Sequence, residues 1–174
     1  ILEVGTPYIY YSYDANGNRL SDNRGSYSYL AATNRLATAP WGAISLDPAG
    51  NTVTAGSGET YTYNNDGQLA EASLNGGLQA SYVYNAQDLR SRKNTAIGTT
   101  VYHYDLKGRL IAETQSGGTL LRAYVWTEEA PIAQIDRNPL AQETVLYLHT
   151  DHQGTPRLST KQTCAVVWRW VGSA

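Results

Sequence analysis

Three stretches of the chain carry the same alternation. Tyr11-Ser12-Tyr13-Asp14-Ala15-Asn16-Gly17, Tyr61-Thr62-Tyr63-Asn64-Asn65-Asp66-Gly67 and Tyr102-His103-Tyr104-Asp105-Leu106-Lys107-Gly108 share the form Tyr-x-Tyr-Asp/Asn-x-x-Gly. Each is followed within three residues by leucine (Leu20, Leu69 and Leu110). A period of two places both rings of a Tyr-x-Tyr pair on one face of a strand. The Asp or Asn that follows starts a turn, because its side chain accepts from backbone N–H groups two residues on. The glycine three residues later supplies a positive-φ position that closes the loop. Each unit therefore predicts a β-hairpin. If the loop has four residues, Tyr13 faces Asn18. If the hairpin carries a bulge, Tyr13 faces Arg19, within reach of a cation–π contact. The pattern is compatible with both registers.

Weaker copies fill the intervals. Tyr27-Ser28-Tyr29 leads to Asn34-Arg35-Leu36, and Ile44-Ser45-Leu46-Asp47-Pro48-Ala49-Gly50 keeps the turn without the tyrosines. Tyr82-Val83-Tyr84-Asn85 has Asp88 where the others have glycine, and Tyr147-Leu148-His149-Thr150-Asp151-His152-Gln153-Gly154 is a late variant. The first six units start at residues 11, 27, 44, 61, 82 and 102, at steps of 16 to 21 residues. Self-similarity at this spacing signals a repeat architecture. Residues 80–93 come nearest to helical spacing and still read better as strand. The predicted fold is all-β, an array of hairpins with essentially no helix. The rings are expected to form ladders across neighbouring strands, each cross-strand pair contributing roughly 0.2–1 kcal/mol.

Composition sharpens this picture. The 174 residues include 14 tyrosines and 4 tryptophans, with no phenylalanine or methionine. A tyrosine ring brings a hydroxyl that needs water or a partner, which suits a thin sheet better than a thick core. The net charge of −2 argues against a general nucleic-acid binder. No apolar stretch approaches the 18 residues that suggest a membrane span. Cys164 is alone, and the expectation is a small buried hydrophobe within a strand. The chain begins at Ile1 without a signal-peptide pattern and reads as part of a longer polypeptide.

The candidate chemistry is sparse. His103 and Asp105 repeat the spacing of His149 and Asp151, and two such pairs meeting across a sheet would resemble a metal site. The plainer reading makes Asp151 and Gly154 a repeat turn and leaves the histidines on the face opposite the tyrosines. Glu128-Glu129 and the turn aspartates do not predict the paired carboxylates of one cleft. Nucleophile-elbow, phosphate-loop and zinc-protease motifs are absent from the sequence. No catalytic, metal or cofactor residues are expected. Trp168-Arg169-Trp170 places two indoles on one face, either a buried strand, the favoured reading, or a platform for sugar rings.

The repeat resembles the YD repeats of the Rhs family, which includes wall-associated proteins, the C component of insecticidal toxin complexes and the teneurin shell. The resemblance rests on Tyr11, Tyr13, Asp14 and Gly17, on Tyr61, Tyr63, Asn64 and Gly67, on Tyr102, Tyr104, Asp105 and Gly108, and on Asp151 with Gly154. Tyr124-Val125-Trp126 and the stretch from Tyr147 through Pro156-Arg157 to Trp170 are similar to the opening of the Rhs-associated core. The resemblance implies a hairpin array over 1–140 and the start of the core over 141–174, in one continuous sheet. It implies a segment of a spiralling shell that encloses a C-terminal toxin or effector, and a secreted or surface-delivered protein. Expected partners are flanking parts of the same polypeptide and the enclosed toxin. An isolated fragment is expected to self-associate through its free sheet edges. The tail Val171-Gly172-Ser173-Ala174 departs from the family's continuation, and self-cleavage residues are not carried over. The alternative is a module that binds carbohydrate or cell-surface glycans. Choline-binding repeats use a Gly-Trp pair in nearly every unit, whereas here the tryptophans lie outside the Tyr-x-Tyr pairs.

Overall fold

The computed structural model describes residues 10–170, so the tail from Val171 lies outside the described residues. Among them every regular element is a β-strand. The chain divides into two compact units between Ser81 and Tyr82. The first contains β1 (Ser12–Tyr13), β2 (Arg19–Asp22), β3 (Gly25–Ser26), β4 (Ser28–Tyr29), β5 (Leu36–Ala39), β6 (Gly42–Ala43), β7 (Ser45–Leu46), β8 (Thr52–Ala55), β9 (Glu59–Tyr63) and β10 (Leu69–Leu74). The division falls within β11 (Gly77–Tyr84). The second unit continues with β12 (Arg90–Thr95), β13 (Gly98–Tyr104), β14 (Leu110–Gln115), β15 (Leu120–Trp126), β16 (Pro131–Arg137), β17 (Glu143–Thr150), β18 (Pro156–Thr160) and β19 (Val166–Arg169).

Hydrogen-bonded pairing follows sequence order throughout. β1 to β3 and β4 to β6 form two three-stranded sheets, and β7 to β19 form one 13-stranded order. Hairpins joined in sequence need no crossover, which is why a local repeat suffices to specify the topology.

The hairpins adopt the bulged register. Tyr13 pairs with Arg19 while Ser12 pairs with Ser21, leaving Leu20 as the extra residue. The same slip occurs where Tyr63 pairs with Leu69 and Thr62 with Glu71, and where Tyr104 pairs with Leu110 and His103 with Ala112. A bulge sets two residues against one and bends its strand. It also leaves backbone groups outside the regular ladder, and these need partners.

The next hairpin supplies them. The Tyr29 hydroxyl donates to the Arg19 carbonyl (2.9 Å), Tyr63 to Thr52 (2.9 Å) and Tyr104 to Arg90 (2.8 Å). The Trp126 indole N–H does the same for Leu110 (2.8 Å). Each acceptor lies five residues beyond the Asp or Asn of the preceding turn. The carbonyl one residue further on is also taken: the Tyr27 N–H donates to Leu20 and the Ile44 N–H to Ala37. The skewed aromatic composition now has a physical cause, since phenylalanine would pack in the same place and leave the bulge carbonyl unbonded.

Burial is shallow. Among the described residues only Ala39, Ala80, Pro131, Ala133, Leu146 and Ser159 are buried, and no large side chain is wholly enclosed. Tyr61 and Tyr63 are half-buried with Thr60 and Thr62 exposed between and beside them, and Tyr102 and Tyr104 flank an exposed His103 in the same way. In the first unit Gly42 and Gly56 approach so closely that a Cβ on either would collide with the backbone of the other.

Replacing the donor without changing the ring isolates its contribution. Tyr63→Phe and Tyr104→Phe are each expected to destabilise the chain by about 1 kcal/mol, the net worth of a typical protein hydrogen bond. Tyr13→Phe, at a 54% exposed ring, is expected to change stability by less than about 0.5 kcal/mol. Urea denaturation followed by tryptophan fluorescence measures all three.

Candidate functional site

The predicted motif residues do not converge on one cleft. They recur as a unit at each hairpin tip. Asp14 Oδ1 accepts from the backbone N–H groups of Asn16 (2.9 Å) and Asn18 (2.8 Å), and Gly17 N–H closes onto the Asp14 carbonyl (3.1 Å). Asn64 repeats this geometry with Asp66 and Gln68, Asp105 with Lys107 and Arg109, and Asp151 with Gln153 and Thr155. The closing glycines Gly17, Gly67, Gly108 and Gly154 have φ of 81°, 77°, 78° and 76°.

Several tips lack the expected composition and keep the geometry. Asn85 and Asn138 start turns whose fourth residue is Asp88 (φ 61°) or Ala141 (φ 60°). The loop 161–165 is the same device with neither Asx nor glycine: Lys161 N–H bonds the Ala165 carbonyl, Cys164 N–H bonds the Lys161 carbonyl, and Cys164 has φ 61°. This corrects the expectation for Cys164, which is exposed at a hairpin tip and not buried in a strand.

Arginine binds the tips to the aromatic face. The Arg19 guanidinium lies 4.6 Å from the Tyr11 ring centroid and 5.9 Å from that of Tyr27, so the cation–π partner is Tyr11 and not its register neighbour Tyr13. Arg90 bridges Tyr82 (4.8 Å) and Tyr102 (5.9 Å) in the same manner. The expected ladder of rings is realised at these places as ring, guanidinium, ring. Arg109 pairs with Asp105 (2.7 Å) and covers Trp126, and Arg157 pairs with Asp151 (2.8 Å) and covers Trp170 at 4.2 Å. The sequence suggested a ring contact for Arg19 but not for Arg90, Arg109 and Arg157, whose offset from the turn varies from four to six residues. Trp126 was missed as a repeat aromatic, although Tyr124-Val125-Trp126 has the Tyr-x-Tyr spacing.

On the opposite face the middle residues of the pairs form a second series. Ser12 meets Ser21, Ser28 meets Thr38 and Ser45 meets Thr54, each at 2.6 Å. His103 and His149 reach two residues past their register partners Ala112 and Leu158, to Thr114 (2.9 Å) and Thr160 (3.0 Å). Asp105 and Asp151 are engaged in their turns and do not face these histidines. Among the described residues no three His, Cys, Asp or Glu side chains come together as a metal-binding group. Trp168 and Trp170 are 45% and 43% exposed, which corrects the reading of a buried strand: β19 is a terminal strand of the 13-stranded order.

One polar cluster lies in the second unit. Arg122 Nε donates to Asp136 Oδ1 (2.6 Å), Tyr124 donates to Glu113 Oε1 (2.6 Å), and Gln134 donates to Asp136 (2.9 Å). Burial pushes the Tyr124 phenol up to about 12, and its bond to Glu113 adds to the shift. The cluster ties β14, β15 and β16 together.

The turn carboxylates are held below the ordinary aspartate range. The Asn18 amide does this for Asp14, the Asn51 amide for Asp47, and backbone N–H groups of Arg109 and Thr155 for Asp105 and Asp151. Groups with lowered folded-state pKa stabilise the fold above their unfolded value, and that stabilisation is lost as pH falls through the folded value. The melting temperature is therefore expected to be flat near neutrality and to fall as the solution is acidified below about pH 4. Asp47→Asn should preserve the turn, since Asn64, Asn85 and Asn138 occupy this position elsewhere. It should also remove part of the acid sensitivity. Thermal denaturation across pH 2.5–7 checks both.

Comparison with known proteins agrees with this geometry. The chain is 30% identical over 124 residues to the tRNA nuclease WapA of Bacillus subtilis strain 168, covering 65% of this chain and 5% of that protein. It is 31% identical over 126 residues to the tRNA3(Ser)-specific nuclease WapA of Bacillus spizizenii, with the same coverage. Among solved structures it superposes on the Tc holotoxin pore of Photorhabdus luminescens (TM-score 0.61, 17% identity) and on the crystal structure of TcdB2–TccC3 (TM-score 0.57, 16% identity). Each superposition covers 92% of this chain and 9% of the other. The chain thus spans about a tenth or less of the length of these relatives. The family model described as Teneurin YD-shell matches residues 3–171, and the chain belongs to that family of YD-repeat shell proteins.

Proposed function

We propose that this chain is a length of shell wall that helps enclose a C-terminal toxin or effector polypeptide. The observation that carries the reading is that an aromatic donor from the next hairpin caps the carbonyls of Arg19, Thr52, Arg90 and Leu110. It makes these repeats depend on their neighbours and extends a sheet by repetition. Its partners are the flanking parts of its own polypeptide and the enclosed cargo. Residues 1–140 act as the hairpin array and 141–174 as the start of the core that follows it. The role is structural. The nuclease activity named for the WapA proteins belongs to those proteins, of which the matched region is 5%. The Tc toxin and WapA likenesses support delivery outside the producing cell. No described helix is long and apolar enough to cross a membrane.

Protease protection tests the enclosure. In the full-length polypeptide, the segment encoded downstream should resist digestion. Tyr29→Ser, Tyr63→Ser and Tyr104→Ser combined should abolish that resistance, because they remove three of the bonds between hairpins. Equal digestion with and without the substitutions overturns the reading. The isolated 174-residue chain should self-associate with rising concentration, since the terminal strand β19 exposes Val166, Val167 and Trp168. A strict monomer in sedimentation velocity at high concentration would contradict this.

A further inference from the structure

Asn-Gly occurs twice in the chain, at Asn16-Gly17 and at Asn75-Gly76, and all four residues are exposed. Asparagine is a thermally labile residue. The backbone nitrogen that follows it can attack its side-chain amide carbon, and a glycine there has no Cβ to block the approach. The attack also needs a backbone N–H free of other bonds and a main chain able to rotate at the asparagine. The two pairs differ on both counts.

At Asn16 the tip is closed. The Gly17 N–H donates to the Asp14 carbonyl (3.1 Å). The Asn16 N–H donates to Asp14 Oδ1 (2.9 Å), and its side-chain amide donates to Asn34 Oδ1 (3.4 Å). Asn75 and Gly76 instead form a two-residue turn between β10 and β11, whose last register pair is Leu74 with Gly77. Their φ values of 50° and 79° are the left-handed pair that such a turn requires. Among the described residues neither the Gly76 N–H nor the Asn75 side-chain amide makes a hydrogen bond. A Cβ placed on Gly76 would meet open space. The Asn75 side-chain oxygen stands where a Cβ on Gly58 would be, and the Asn75 N–H donates to the Gly58 carbonyl (2.9 Å). The labile pair is thus also the tie between this turn and the loop 56–58.

We propose that Asn75-Gly76 is a site of self-modification, at which the chain deamidates and isomerises its own backbone. The Gly76 nitrogen bonds to Asn75 Cγ, the Cγ–Nδ2 bond breaks, and Nδ2 leaves as ammonia with the proton from Gly76. Water then opens the resulting succinimide ring at either carbonyl. One product is aspartate with the original main chain. The other is isoaspartate, whose main chain runs through the former side chain and is longer by one methylene. Aspartate keeps the turn, since Asp-Gly suits it as Asn-Gly does. Isoaspartate does not, because the Leu74–Gly77 register and the bond to Gly58 both depend on normal backbone spacing. Either product adds a negative charge at the exposed tip.

The test incubates the intact, folded 174-residue chain in mildly alkaline buffer and follows the peptides holding Asn75 and Asn16 by mass spectrometry. Asn75 is expected to deamidate at least about fivefold faster than Asn16, the factor imposed by breaking one typical hydrogen bond. In the chain unfolded by urea the two rates should converge. Asn75→Gly, which leaves a Gly-Gly turn, should abolish the fast phase of ammonia release and keep the Asn16 rate as it was. Equal rates in the folded chain overturn the proposal. So does a ratio unchanged on unfolding, which assigns the difference to sequence and not to the fold. The isoaspartyl form, separated by chromatography, should unfold at lower urea than Asn75→Asp. Equal midpoints overturn the claim that isomerisation breaks the turn.

Discussion

The structure depends on one constraint, that a bulged hairpin must find partners for the backbone groups its bulge displaces. Regular antiparallel pairing uses every N–H and C=O between two strands. The slip seen at Arg19–Leu20, Leu69–Ala70 and Leu110–Ile111 breaks that economy once per tip. An unbonded carbonyl in a half-buried place costs about 1–3 kcal/mol. At Arg19, Thr52, Arg90 and Leu110 the repair comes from outside the hairpin, as a phenol or indole donor on the following one. The aromatic ring therefore does two jobs at once: its body covers apolar surface and its polar edge completes the backbone of its neighbour.

This arrangement explains why so little is buried. A sandwich stabilises its sheets by filling a core between them. Among the described residues burial is confined to a few small residues, Pro131 and Leu146, and other forces carry more of the weight. Turn carboxylates and amides satisfy loop N–H groups, guanidinium groups sit on or between rings, and hydroxyl pairs line the other face. Cation–π contacts contribute about 0.5–1 kcal/mol each at exposed sites, so no single one is decisive. Their repetition is. Stability in such an array approximates a sum of unit terms and nearest-neighbour terms.

The sequence made some of this legible and hid the rest for identifiable reasons. The tips at Asp14, Asn64, Asp105 and Asp151 were readable because Asx turns and positive-φ glycine leave a compositional trace. The tips at 138–142 and 161–165 were not, because Ala141 and Cys164 tolerate the same backbone without advertising it. The bulged register was one of two open choices, since the alternation of Tyr13 is the same in both. The ring partner of Arg19 is not Tyr13, the residue that faces it. A long side chain reaches diagonally, and Arg19 settles on Tyr11 and Tyr27. Trp168 and Trp170 look like core residues by type, and their exposure follows from strand order, which residue type does not encode.

A wall made by this logic has two chemically different faces, and the difference follows from the capping requirement. The donors that close the bulges must lie on the side to which the rings point, so that side gathers aromatic and aliphatic surface. The residue between the two aromatics necessarily points the other way, and there serine, threonine and histidine bond across strands. Variation on the hydroxyl face, such as Ser12, Thr62, Val83 and His103 at equivalent positions, leaves the backbone repair untouched. On the aromatic face a ring with a donor is needed where it caps a bulge carbonyl, which is why Trp126 can replace a tyrosine at its position, while Leu46 occupies the same position without a donor. The repeat thereby fixes one face for assembly and frees the other, and any contact the wall makes through its aromatic side must use surface that the bulges have left over.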